Sequence, residues 1–175
     1  MRVGLLGLLL VACGSEEESA LSSRTWTAAD FTPSQYTVLE YVPPGRGEAT
    51  PLWLTVTANK WLIASGTDYD EAAETASWTA VAEQALTVAN VETLPKIFEV
   101  GDTTDDIEVI SIDTRETWYG VFEVALTIDI SSGPLQGEAA FAEGIGPIFL
   151  TVGASTWDLA SYALPTEDVQ EAQAE

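Results

Sequence analysis

From Thr25 onward, apolar and β-branched residues come in short runs that alternate with polar ones and are cut by proline and glycine. A period of two is the pattern of strands with one buried face, and frequent breakers keep such strands short. Residues 36–42 alternate and stop at Pro43-Pro44-Gly45, a strong breaker. Runs 52–57 and 60–64 follow, joined by Ala58-Asn59; asparagine tolerates left-handed backbone geometry, which predicts a tight hairpin there. Further strands are predicted at 97–100, 107–112, 118–130, 137–142, 145–152 and 156–162, separated by turn chemistry such as Gly101-Asp102 and Ser131-Ser132-Gly133-Pro134. Strands and turns in this succession predict a mainly β chain with an antiparallel sheet rather than βαβ units.

Within the β-rich part, alternation puts Phe122, Val124, Leu126 and Ile128 on one face, and Ile148 and Leu150 on one face of a later strand. Gly144 and Gly146 are expected in the turn between those strands, in backbone conformations that a Cβ disfavours. Pro147, lacking an N–H, belongs at a strand start or edge. The segment around 70–90 is ambiguous. Trp78, Val81, Ala82, Ala85, Leu86 and Ala89 have helical spacing and Asp68 or Asp70 could cap such a helix, whereas Thr75, Thr79 and Thr87 disfavour it and 86–89 also reads as a strand.

The N-terminus carries a different signal. Arg2 precedes the apolar run 3–11, and Leu10-Val11-Ala12-Cys13 closes it, as a secretory signal requires. The run ends near Glu16 and is too short for a membrane span of about 20 residues. The tetrapeptide resembles a lipobox, the processing site of bacterial lipoproteins. That resemblance implies export, cleavage before Cys13, acylation of Cys13 and residence in the cell envelope; Gly14 after the cysteine matches the sorting pattern for the outer membrane. The expected organisation is a signal peptide at 1–12, acylated cysteine and acidic tether at 13–23, β-rich domain at 24–164 and acidic tail at 165–175. About ten tether residues reach at most ~35 Å.

A second resemblance lies in 137–148 and 156–162, where an aromatic strand runs into Gly144-Ile145-Gly146 and a final strand ends in Ser161-Tyr162. It is similar to the closing strands of uncharacterised exported β-sheet lipoproteins. It implies one domain with a large curved antiparallel sheet, of the kind in which lipoprotein carriers cup acyl chains.

Composition removes many chemistries. The chain has 28 Asp+Glu, 6 Lys+Arg, no His, one Cys and a net charge of −22. Nucleic-acid binding rests on Lys and Arg neutralising phosphates, so no nucleic-acid partner is expected, and attachment to anionic lipid must rest on acyl chains. Absence of His excludes a serine triad, a Cys–His pair and a histidine zinc site, and Cys13 has no second thiol for a disulfide. Gly153-Ala154-Ser155-Thr156-Trp157 lacks the last glycine of a nucleophile elbow and has no base to activate Ser155. Paired carboxylates could serve a glycan-acting enzyme, although so acidic a surface offers many accidental pairs.

Trp53 and Trp61 could line a sugar-stacking platform, against the ordinary role of aromatics in filling a core. Asp68-Tyr69-Asp70-Glu71 and the loop holding Asp102, Asp105 and Asp106 could supply the hard oxygens that calcium needs, against ordinary turn and surface chemistry. The expected function is a non-enzymatic, membrane-anchored lipoprotein that binds a protein or envelope component or has a structural role, without a resident cofactor. Two alternatives stand beside it: a carrier of an apolar ligand in a concave sheet, and a carboxylate-dependent glycan-acting enzyme.

Overall fold

The computed structural model describes residues 24–45, 50–82 and 85–164. The expected signal, Cys13, the tether and the acidic tail lie outside them. Among the described residues thirteen strands form: β1 (Trp26–Thr27), β2 (Val38–Val42), β3 (Leu52–Val56), β4 (Lys60–Ser65), β5 (Ala73–Ala82), β6 (Leu86–Val88), β7 (Val91–Leu94), β8 (Ile97–Phe98), β9 (Ile107–Glu116), β10 (Val121–Ile130), β11 (Gly137–Ala142), β12 (Gly146–Val152) and β13 (Ser155–Ala163). Helix α1 (Ala28–Phe31) is a single turn. β1 pairs with β8, and the other strands form one eleven-stranded sheet in the order β7-β6-β5-β4-β3-β2-β13-β12-β11-β10-β9.

Every ladder of that sheet is antiparallel. Two meanders, β2 to β7 and β9 to β13, are welded by the pairing of β2 with β13, and the sheet curls until its edge strands β7 and β9 meet. The seam is closed by side chains. Asp106 accepts a hydrogen bond from the Glu92 N–H at 3.4 Å and from the Ser132 hydroxyl at 3.2 Å. Val91 packs on Gly133, where a Cβ would come within 2.7 Å of it.

Residue alternation explains the interior. Leu39 and Tyr41, Leu52 and Leu54, Trp61 and Ile63, Leu126 and Ile128, and Ile148 and Leu150 point inward and are buried. Among its described residues the segment around 70–90 contains no helix beyond the 3-10 turn Tyr69–Glu71, whose Asp68 carboxylate does accept the Asp70 N–H at 3.1 Å. Its core is β5, because Trp78 and Ala76 also fit period two: they sit opposite Trp61 and Ile63, already on the inner face. The helical spacing is the accidental match, and pairing with β4 decides for strand.

The hairpin at Ala58-Asn59 forms, with the Thr57 N–H donating to the Lys60 carbonyl at 2.9 Å. The left-handed turn residues prove to be Ala89 and Asn90, between β6 and β7. Gly144 takes φ +75° in the turn between β11 and β12, whereas Gly146, at φ +103°, is already the first residue of β12, followed by Pro147. One alternation fails: Phe122 stands opposite Arg115, and a bulge separates it from Ala125, which stands opposite Asp113. Paired residues share a face, so Phe122 joins Arg115 on the outer face, away from Leu126. The extra residue in the bulged strand shifts the phase.

The barrel is plugged by the segment before β2. Trp26, Phe31 and Phe98 are buried, with ring centroids 5.3 Å apart for Trp26–Phe31 and 6.0 Å for Phe31–Phe98. Thr27 caps α1 through a box in which its N–H and hydroxyl both donate to the Asp30 carboxylate, at 2.8 and 2.9 Å. The plug docks on the β11–β12 turn: the Gly144 N–H donates to the Asp30 carbonyl at 2.8 Å, and Pro33 lies where a Cβ on Gly146 would be, 2.7 Å away.

Because strands alternate in direction, the β3–β4, β9–β10 and β11–β12 turns share one end of the barrel with the plug, Arg24 and Leu164. We call this the basal end. The connection 66–72 and the loops 101–106 and 131–136 lie at the distal end.

Truncating a buried aromatic removes transfer energy and leaves a cavity. Phe31→Ala is therefore expected to lose about 3–5 kcal/mol of folding stability, read from the shift of the urea midpoint. A loss under about 1 kcal/mol, the scale of a surface change, would mean that the plug is not part of the core.

Candidate functional site

A cleft of about 340 Å³ opens at the basal end between the plug and the barrel wall. Its floor is made by inward residues of β3 to β6, Val56, Trp61, Ala80 and Leu86, all buried. Thr32, Pro33 and Gln35 of the plug form one rim, and the Thr57-Ala58-Asn59 turn with Val81 and Ala82 forms the other. Val81 is 41% exposed. Local structure explains the opening. Tyr36 adopts φ +68° and donates its N–H to the Val56 carbonyl at 2.6 Å, turning the chain sharply from plug into β2 and leaving Gln35 at the rim. A bulky residue at positive φ carries backbone strain. The cleft's chemistry is an apolar floor with neutral amide and hydroxyl groups at its edge.

The residues singled out from sequence are dispersed. Asp102 serves its own turn: its carboxylate accepts the Glu99 N–H at 2.8 Å. Asp105 contributes a carbonyl to the Ser131 hydroxyl at 3.1 Å, and Asp106 clasps the seam. Among the described residues, no three His, Cys, Asp or Glu side chains come together as a metal-binding group. Trp53 and Trp61 do not make one platform. Trp61 is in the cleft floor, whereas Trp53 alternates with inward Leu52 and Leu54, lies edge-on to Tyr69 at 5.5 Å and donates its indole N–H to the Gly66 carbonyl at 3.1 Å.

A second feature went unread in the sequence. The β9–β10 connection leans over the outer face of the barrel and is held on β13: the Trp118 N–H donates to the Asp158 carboxylate, and the Tyr119 N–H to the Leu159 carbonyl at 2.9 Å. Arg115 beneath it covers the Phe149 ring at 4.3 Å and pairs with Glu138 at 2.9 Å. Tyr119 stacks on Phe122 at 5.9 Å and meets Tyr162 at 4.9 Å. Reading 118–130 as one strand hid this tip, because Trp118 and Tyr119 have the composition of a strand. Gly120 was the signal for the turn.

No protein-family model, curated protein or solved structure matches the chain. Among the described residues no helix is long and apolar enough to cross a membrane.

Burial beneath the tip raises the Asp158 carboxyl above its usual range, although the Trp118 N–H and the Arg115 guanidinium both pull it down. A raised folded-state pKa means that ionisation opposes folding. The penalty is absent below the unfolded value of about 3.9 and grows as pH rises through the folded one. Asp158→Asn keeps an acceptor for the Trp118 N–H. It is expected to melt with the wild type near pH 3 and above it near pH 7, as thermal denaturation at both pH values would show. A lower melting point near pH 7 would mean that the attraction to Arg115 outweighs burial.

Proposed function

We propose that this protein is a non-enzymatic lipoprotein of the bacterial cell envelope, acylated at Cys13 and held at the outer membrane. In this reading its β-barrel binds a small, largely apolar envelope molecule in the basal cleft. The observation that carries the binding reading is the cleft itself, an apolar floor of Val56, Trp61, Ala80 and Leu86 under a neutral polar rim. Its volume of about 340 Å³ falls at the small end of ligand pockets. The lipobox supports the anchor, and with the plug occupying the barrel interior the ligand is a small molecule or one end of a larger one, not several acyl chains cupped in a concave sheet.

Binding is tested with a neutral apolar fluorophore, N-phenyl-1-naphthylamine, titrated into the mature protein. Saturable, blue-shifted emission is expected from the wild type. Val81→Glu, which sets a charge at the mouth of the cleft, is expected to weaken binding at least tenfold with an unchanged melting temperature. Equal binding by the variant, or none by the wild type, would refute the cleft as a ligand site.

The anchor is tested separately. Cys13→Ala removes the thiol that accepts the lipid, so the variant is expected to incorporate no labelled fatty acid and to remain as the uncut precursor. Label in the variant would exclude Cys13 as the acceptor.

A further inference from the structure

Ten-residue strands β9 and β10 overrun β11, which has six residues. Their shared register places Ala125 opposite Ala142, so residues 121–124 extend past the basal end of β11. The tip that joins them is apolar and exposed: Trp118 at 48%, Tyr119 at 50% and Val121 at 62%. Leu164, two residues beyond Tyr162 in the same aromatic group, is 50% exposed.

Two observations say what this surface meets. The first is where the chain leading to Cys13 departs. Arg24 is fixed at the basal end by ion pairs to Glu143 at 3.3 Å and Asp30 at 3.8 Å, and the Glu143 N–H donates to the Val124 carbonyl beside the tip. Ten residues lie between Arg24 and Cys13, a reach of at most ~40 Å over eleven Cα–Cα steps, so the chain to the anchor leaves from the end of the barrel that carries the aromatic tip.

The second is charge. Among the described residues, the cations Arg24, Lys60, Lys96 and Arg115 lie on basal segments, in the company of Asp30, Asp113, Glu116, Glu123 and Glu143. The distal loops carry Asp68, Asp70, Glu71, Asp102, Asp105 and Asp106 with no Lys or Arg among the described residues there. An anionic bilayer repels the distal end and tolerates the basal one. Trp and Tyr are the residues that settle at the boundary between headgroups and acyl chains.

We propose that the β9–β10 tip, with Trp118, Tyr119, Val121 and Leu164, seats in the lipid interface that holds the acyl anchor. The barrel is thereby fixed upright, with its cleft toward the bilayer. This rests on acylation of Cys13.

The test uses the acylated protein reconstituted in phosphatidylcholine vesicles whose acyl chains are brominated, a quencher confined to the bilayer. Wild-type tryptophan emission is expected to fall relative to unbrominated vesicles, and Trp118→Phe is expected to abolish that fall. An equal fall in both proteins, or none in either, overturns the seating; a tip reserved for a protein partner gives the latter. Labelled fatty acid on Cys13 is measured in the same preparation. Label without Trp118-dependent quenching rejects the seating and spares the anchor, whereas absence of label rejects both.

Discussion

A sheet of eleven strands that curls until its edges meet encloses more volume than its own inward side chains fill, and the rest of this structure follows from how that volume is occupied. The dozen residues before β2 supply the missing bulk. Trp26 and Phe31 enter from the basal end and meet Phe98, while the capping box fixes the turn that carries them. The plug has little regular structure of its own and takes its hydrogen bonds from several neighbours: β8, the Lys96 and Val56 carbonyls and the β11–β12 turn. That turn in turn tolerates only glycine where Pro33 arrives. The cleft is the margin of this fit, the space left where plug and wall diverge after the sharp turn at Tyr36.

The seam shows a related economy of means. Edge strands expose unpaired backbone groups and invite association with other chains. Here β7 and β9 turn their edges toward each other, and a carboxylate joins them where a continuous ladder does not. Asp106 takes a backbone N–H of one edge and a hydroxyl from the loop after β10. An acidic residue that could be read as a ligand for an external ion is engaged in internal closure.

Much of the architecture was legible because strand alternation is a local property. The strand at 137–142 was read with its bounds, and β3, β4, β12 and β13 to within a residue or so at each end. What escaped was non-local. The phase of Phe122 depends on a bulge that exists only in the ladder with β9, and alternation within one strand carries no mark of it. The segment from Ala73 to Ala82 satisfied two periods at once, and only the partner strand chooses between them. Trp26 and Phe31, five residues apart with Thr27, Ala28, Ala29 and Asp30 between them, follow neither period, so the plug left no pattern. The cleft draws on five separate segments, and its residues are unremarkable in each; only the fold assembles them. Asp102, Asp105 and Asp106, selected by composition, were placed correctly in a turn, but composition does not say where their oxygens point.

The pairing of β2 with β13 also orders events in time. Most ladders of the ring join neighbours along the chain, so they form by short loop closures. The β2·β13 ladder brings together the beginning and end of the barrel, and the plug ahead of β2 needs the late β11–β12 turn as its seat. A chain synthesised from its N-terminus therefore holds hairpins but no finished core until Ser155–Ala163 has been made. Until that strand is present, the two meanders lack the ladder that welds them into one ring.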